Sequence, residues 1–431
     1  MFTSMPTLAE RLSRLIDETP IIDPLSQVRV NRPHAADLLS LLSCDWVQTG
    51  LLAVGMPQDF LDPDLPPDEI VSRLVPYLAR LKNTSVSWCL SRIFRDLFDH
   101  FDPLPTRSLC DAVDLAALDP NRGWDILRDR CQMQTFVTND GKNSNIEDPR
   151  FARFAVDLSC IFCPGDPVKS TSFLSNGTPQ KQYVDVLEWT VENRSGTASE
   201  LKRDLFDRLD RLVAGRIRLM NTSIPIDHRF SQVDDSRIDR ILLVSRSGRA
   251  LDSSETDDLA AFVTWNVLAW HHENRKAIRI ALGSEPLFEG RGVPHRQETW
   301  MNEMASVFER FPNARFDLTI ASNLLAHEVA LLAGRLPNVY ASGYGSPHFL
   351  PILIEQILTS RIQIVPMTKF SAFFSNAQSA EWTYGTLKIV KKSMATALAR
   401  QVEERLLDED DLPVLLKQIL HDTPRDLYDL S

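Results

Sequence analysis

The sequence predicts an α/β chain: a (β/α)8 TIM-like barrel with a large helical insertion after strand one and a helical C-terminal tail. Three observations predict it. From residue 132 onward, short β-prone runs alternate with amphipathic helical runs, the rhythm of a parallel sheet crossed by helices. With the apolar pair Ile21 and Ile22 there are eight such strands, each followed by helix, and eight units read as a closed barrel rather than an open sheet. Between the first strand and the second, residues 28–131 carry apolar positions mostly at helical spacing, too apolar for a linker. The whole of 1–431 therefore reads as a single barrel, with 28–131 inserted and 379–431 a closing helical section.

In order along the chain, residues 7–18 place Leu8, Leu12, Leu15 and Ile16 on one helical face, with Thr7 as N-cap. The first strand follows at 20–23, ending in Asp23 and Pro24. In the insertion, helical patterns run over 36–42, 70–81, 86–98 and 124–131, punctuated by Pro63, Pro66, Pro67, Pro103 and Pro105. Strands two to eight are expected at 134–138, 155–162, 219–226, 277–282, 316–320, 338–342 and 362–366. Helices are expected between them, at 198–214, 256–273, 296–310, 323–334 and 348–359. The polar, turn-rich segment 139–150 falls where a barrel carries an active-site loop.

Bulk properties exclude some classes. A net charge of -11 and a pI of about 5.4 argue against a nucleic-acid partner or an anionic membrane surface, both of which need a basic face. The first 18 residues lack a basic region followed by an apolar core, and Arg11, Arg14, Asp17 and Glu18 interrupt them, so no signal peptide is expected. No apolar run approaches a membrane span, and a cytoplasmic location is the expectation. The cysteines at 44, 89, 110, 131, 160 and 163 are scattered; Cys160 and Cys163 make one C-x-x-C with no second pair at zinc spacing. Reduced, buried thiols are expected, against a redox or metal role for that pair.

Taken in order, the short motifs Ile22-Asp23-Pro24, Gly55-Met56-Pro57, Asn83-Thr84 with Trp88, and Thr138-Asn139-Asp140 resemble those of the uronate isomerase family of the amidohydrolase superfamily. They continue with Ile226-Asp227-His228, Ala281-Leu282-Gly283, Asn338-Val339-Tyr340 with Ser342-Gly343, and Thr368 with Phe373. They run over nearly the whole chain; their order and spacing, rather than any one motif, carry the resemblance.

The resemblance implies a metal held by two strand-one histidines and an aspartate ending strand eight, and it puts Leu25, Gln27 and Lys369 at those places. Leucine has no donor, lysine is protonated at neutral pH and glutamine is a poor transition-metal ligand, so no metal and no other cofactor is expected. A strand-five histidine becomes Ala281, a substrate-clamping arginine falls at or near Cys163, a second arginine becomes Ser371 and a tyrosine becomes Trp46. Asp227, His228 and Asp140 survive.

Each candidate has a functional and a structural reading. Lys369 restores the formal charge of +1 that the family's ligands and cation would have. It serves either as structural repair, as a point charge for a sugar-acid carboxylate, or, if desolvated, as a Schiff-base lysine. His228, with Asp227, is a candidate base for the proton transfer of an aldose–ketose isomerisation, or a histidine bonded to backbone near the rim. Gln27 and Asp140 are candidate hydroxyl-binding groups, with Trp46 beside them, and Asp140 is otherwise a turn residue. The cluster Trp270, His271, His272 and Glu273 falls late in a helix, toward the amino ends of the strands; adjacent histidines diverge on a helix, so it reads as packing or surface. The glycine pairs Gly290 with Gly292 and Gly343 with Gly345 lack the setting of a dinucleotide site, and there is no Walker A or G-x-S-x-G motif.

Two functions remain open. One is a divergent uronate-isomerase-like enzyme acting on a sugar acid without metal, with His228 or Asp227 as base and Lys369 in place of the cation. The other is a catalytically degenerate barrel, a pseudoenzyme that binds a ligand or partner, its pocket filled by Leu25, Trp46 or Phe370. A sugar-acid small molecule is the expected ligand class, with no nucleic acid, no membrane, and a homo-oligomer left open.

Overall fold

The computed structural model describes residues 7–57, 66–139, 151–158, 195–214, 217–224, 228, 230–282, 298–320, 323–345 and 348–430. Helix α1 (Leu8–Glu18) opens with the expected cap: Glu10 N donates to Thr7 Oγ1 and Thr7 N to the Glu10 carboxylate, satisfying two orphan donors at once. Its apolar stripe buries Leu12 and Ile16. Strand β1 (Ile21–Ser26) follows. All the regular structure described between β1 and β2 (Met133–Thr138) is helical: α2 (Leu38–Leu42), α3 (Asp45–Ala53), α4 (Pro67–Leu78), α5 (Ser85–Phe98), α6 (Arg107–Ala116) and α7 (Arg122–Asp125). The expected insertion is thus present, with two helices, α3 and α6, that the periodicity did not single out.

Then come β3 (Ala152–Asp157), α8 (Ala198–Ala214), β4 (Ile217–Ile224), α9 (Asp235–Arg246), α10 (Ser253–Glu273), β5 (Ala277–Leu282), α11 (Glu298–Arg310) and β6 (Arg315–Ile320). They are followed by α12 (Ala326–Arg335), β7 (Val339–Ser342), α13 (Pro351–Ile364), β8 (Phe370–Ser371), α14 (Ala380–Glu403), α15 (Leu412–Lys417) and α16 (Thr423–Leu427). The eight strands form one sheet in chain order, β1 to β8, with parallel pairs: the strand order of a (β/α)8 barrel.

Strand eight departs from expectation. The run 362–366, rich in β-branched residues, is the end of α13 and the turn after it; β8 lies at Phe370–Ser371. Ile354, Ile357, Leu358 and Arg361 are buried at helical spacing, so the packed face carries the helix on to Ile364 before Pro366 stops it. Gly334 of α12 permits this ending: a Cβ there would sit 2.8 Å from the Ile364 carbonyl oxygen. Strands three and four begin earlier than expected, at Ala152 and Ile217.

Two compact units make up the chain. The first comprises 1–152, 346–362 and 372–424, and the second 153–345, 363–371 and 425–431. In the first, α14 is buried on nearly every side, packing on α1 and α5. Gly385 sits so close to α5 that an added Cβ would be 2.6 Å from Cys89 Sγ. In the second, β5 to β7 alternate strictly. Ile278, Ile280, Leu282, Phe316, Leu318, Ile320, Val339 and Ala341 form one apolar face, while Arg279, Asp317, Thr319 and Ser342 share the other. Among the described residues, no helix is long and apolar enough to cross a membrane. Four described cysteines, Cys44, Cys89, Cys110 and Cys131, are buried free thiols, as expected; burial pushes Cys44 and Cys131 up to about 12.

Candidate functional site

In the first unit, the segment after β8 is stitched to the carboxyl end of β1. Asn376 N donates to Leu25 O at 2.8 Å, and Gln27 N to Ala377 O at 2.9 Å. The Gln27 side-chain amide donates to Asn376 Oδ1 at 2.7 Å. Asp23, fully buried, accepts from Ser375 N at 3.0 Å, from Ser375 Oγ at 2.5 Å and from Leu25 N at 3.2 Å. A buried carboxylate is costly unless hydrogen-bonded, and these donors supply what solvent would have given Asp23. Asn376 takes a positive φ of 47°, which asparagine tolerates better than most residues and which turns its side chain's segment back onto β1. Thr138 Oγ1, at the end of β2, donates to Val28 O at 2.9 Å and fixes the next turn.

Trp46 is part of an aromatic cluster on the same unit, edge-on to Phe349 at 4.7 Å and to Trp382 at 5.7 Å. Trp382 in turn donates its indole N–H to Leu41 O. Trp46 thus packs on apolar rings, an arrangement of core rather than of a polar pocket.

In the second unit, the polar face of the sheet holds a buried network. Arg279 Nε donates to Asp317 Oδ2 at 2.9 Å and its Nη2 to Tyr428 Oη at 2.6 Å; the Tyr428 hydroxyl donates to Asp317, and Ser342 Oγ donates to Asp317 Oδ1 at 2.6 Å. Arg279 is opposite Asp317 in the parallel register. Burial works against the Arg279 cation, but Tyr428 and Asp317 outweigh it and its pKa is raised; burial pushes the Tyr428 phenol well up. A charge in the middle of each of two successive apolar strand runs was the signal for this network, and the reading of the sequence passed over it.

His228 follows the carboxyl end of β4 and is buried, with Nε2 3.0 Å from Thr264 Oγ1 on α10 and its ring edge-on to Phe230 at 5.0 Å. Lys369 lies at the opposite end of the sheet. It precedes β8, and its ammonium donates to Leu336 O at 3.1 Å and Pro337 O at 2.5 Å, carbonyls just ahead of β7, while lying 4.2 Å from the Tyr340 ring centroid. The resemblance, with strand eight read at 362–366, set Lys369 at the end of that strand; with β8 starting at Phe370, Lys369 instead precedes the strand, at its amino end. Burial brings its pKa down to about 8. Among the second unit's candidates, then, the structure does not bring His228 and Lys369 together. Asp140, Asp227 and Cys163 lie outside the described residues.

The helix-end histidines diverge as expected. His271 is fully buried, and His272 Nδ1 accepts from Asn313 N at 3.1 Å.

The described side chains do not fit the cation that the family resemblance implies. Leu25 offers no donor, the Gln27 amide is engaged by Asn376, and the Asp23 oxygens are held by Ser375 and Leu25. Among the described residues no three His, Cys, Asp or Glu side chains converge as a metal would require.

No protein-family model matches the chain, and no curated protein sequence matches it. Solved structures do. The glucuronate isomerase of Caulobacter crescentus superposes with a TM-score of 0.79 at 16% identity, covering 100% of this chain and 96% of that one. The uronate isomerase of Thermotoga maritima gives 0.78 at 13% identity, covering 98% and 97%. The uronate isomerase of Bacillus halodurans C-125 gives 0.70 at 15% identity, covering 98% and 96%. Likeness at such low identity is likeness of fold, and over its whole length this chain has the fold of the uronate isomerases.

Proposed function

We propose that this chain is a divergent uronate-isomerase-like protein that has given up metal-dependent isomerisation and serves as a ligand-binding or interaction barrel, with a sugar acid as its ligand class. The observation that carries this reading is the lock at the end of β1: Asp23 held by Ser375, and Gln27 held by Asn376. The side chains at the end of β1 are committed to partners in the segment after β8, and opening them for a metal would leave the buried Asp23 carboxylate and the half-buried Gln27 amide without those partners. The ligand class comes from the isomerase neighbours and rests on fold, which by itself does not carry chemistry.

The test uses the purified full-length chain. Metal content is measured by inductively coupled plasma mass spectrometry after dialysis without chelator, and conversion of glucuronate and galacturonate is followed by NMR with and without added Mn²⁺ or Zn²⁺. The expected result is far less than one equivalent of metal and no conversion. Roughly one transition metal retained per chain, with metal-dependent conversion, would overturn the reading. Conversion without metal would replace it with proton transfer by His228, whose Nε2 would then have to leave Thr264.

A further inference from the structure

A groove of about 670 Å³ lies in the first unit between α1, α5, α13 and α14. That is a volume suited to a small organic ligand. Its lining is basic although the chain as a whole carries a net charge of -11. Arg92 and Arg95 come from α5, and Lys388, Lys391 and Lys392 from α14. They face two carboxylates, Asp17 and Glu355.

The spacing explains the concentration. On α5, Trp88, Arg92 and Arg95 are separated by four and three residues and share one face; on α14, Lys388 stands three and four residues before Lys391 and Lys392. Like charges so placed repel one another, so each stripe costs stability until something neutralises it. The protein's own carboxylates do this in part. Lys388 and Lys391 both reach Asp17 Oδ1, at 3.4 and 3.2 Å, so two ammonium groups share one carboxylate. Arg95 pairs with Asp96 at 2.9 Å. Arg92 and Lys392 have no ion-pair partner among the described residues. With Arg95 neutralised from outside the lining, four cations face Asp17 and Glu355, leaving two positive charges over.

Two further features describe the guest. Lys391 is 4% exposed, so the floor of the groove is a desolvated ammonium, where an anion is held more strongly than at the surface. Trp88, at the same groove, is 48% exposed, a large ring face left open to solvent. A dianion matches the surplus charge, and a flat ring matches the indole.

We propose that this groove binds the phosphomonoester of a small ring compound, with the phosphate against Arg92, Lys388 and Lys392 and the ring on the face of Trp88. Lysine and arginine are the usual phosphate partners, the first as point charges and the second as a planar fork. The phosphoryl dianion is chemistry common to a sugar phosphate and a nucleotide, and the experiment separates the two.

Isothermal titration calorimetry on the full chain at low salt uses glucose 6-phosphate, AMP, inorganic phosphate, glucose and adenosine. At least one of the two esters is expected to bind at one site, the tighter ester naming the source, while glucose and adenosine give no signal. The double variant Arg92→Ala/Lys392→Ala, at one half-buried and one exposed position and with its fold checked by circular dichroism, is expected to lose roughly tenfold or more for every phosphate. Trp88→Ala is expected to weaken the bound ester and leave inorganic phosphate unchanged. Absence of binding by both esters, or binding unaltered in the double variant, would overturn the proposal.

Discussion

Ser375 and Asp23, 352 residues apart in sequence, meet through two hydrogen bonds, backbone N–H to one carboxylate oxygen at 3.0 Å and hydroxyl to the other at 2.5 Å. The pair closes the end of β1 on the segment that follows β8. Because Asp23 is fully buried, its stability depends on donors such as these rather than on water.

Ser375→Ala removes the hydroxyl and leaves one carboxylate oxygen without it. The expected cost is about 1–3 kcal/mol, read by urea unfolding, the range for losing a hydrogen bond to a buried charge. A change smaller than the error of such an extrapolation would mean that solvent reaches Asp23.

Arg279→Met is expected to be more severe, since it leaves Asp317 buried between Tyr428 and Ser342 without its cation; breaking such a pair costs about 3–5 kcal/mol. Adding Asp317→Leu should recover part of the loss, because two apolar residues leave no buried charge. Strict additivity of the two substitutions would show that the pair is not energetically coupled.

Burial lowers His271 to about 3, so the folded protein binds fewer protons there than the unfolded chain does between that value and the ordinary histidine range. Stability is therefore complete above about pH 6.5 and falls as the pH drops below it, by about 2 kcal/mol at pH 5 from this group alone. His271→Leu should flatten that part of the stability–pH curve measured by thermal unfolding. An unchanged slope would place the acid sensitivity elsewhere.

Lys369→Met removes donors from the Leu336 and Pro337 carbonyls at the amino end of β7. Because the group is partly exposed, water can replace the ammonium, and the expected loss is within about 1 kcal/mol. Sugar-acid binding, followed by saturation-transfer NMR, should be unaffected. Its disappearance in this variant alone would return Lys369 to the ligand site.

Local pattern was enough for much of this fold. The change from helical to strand periodicity, the Thr7 cap and the helical run after strand one are written in neighbouring residues, and local backbone preference with amphipathic spacing determined them. Strand eight was not legible that way. The residues at 362–365 suit a strand or a buried helix equally, and the packed face of α13, with the close approach of Gly334, decided for helix. That decision moved Lys369 to the other end of the sheet.

The candidate site divides in the same way. Leu25 and Gln27 were legible in sequence at the places where the resemblance implies metal ligands, since residue type alone tells which donor atoms a side chain carries. The partners that the structure supplies were not legible there: Ser375 and Asn376 for β1, Tyr428 for Arg279, and the cationic stripes of α5 and α14 facing one groove. Each of these partners lies far away in the chain, and only tertiary packing sets the distances and burial on which their hydrogen bonds and charges act.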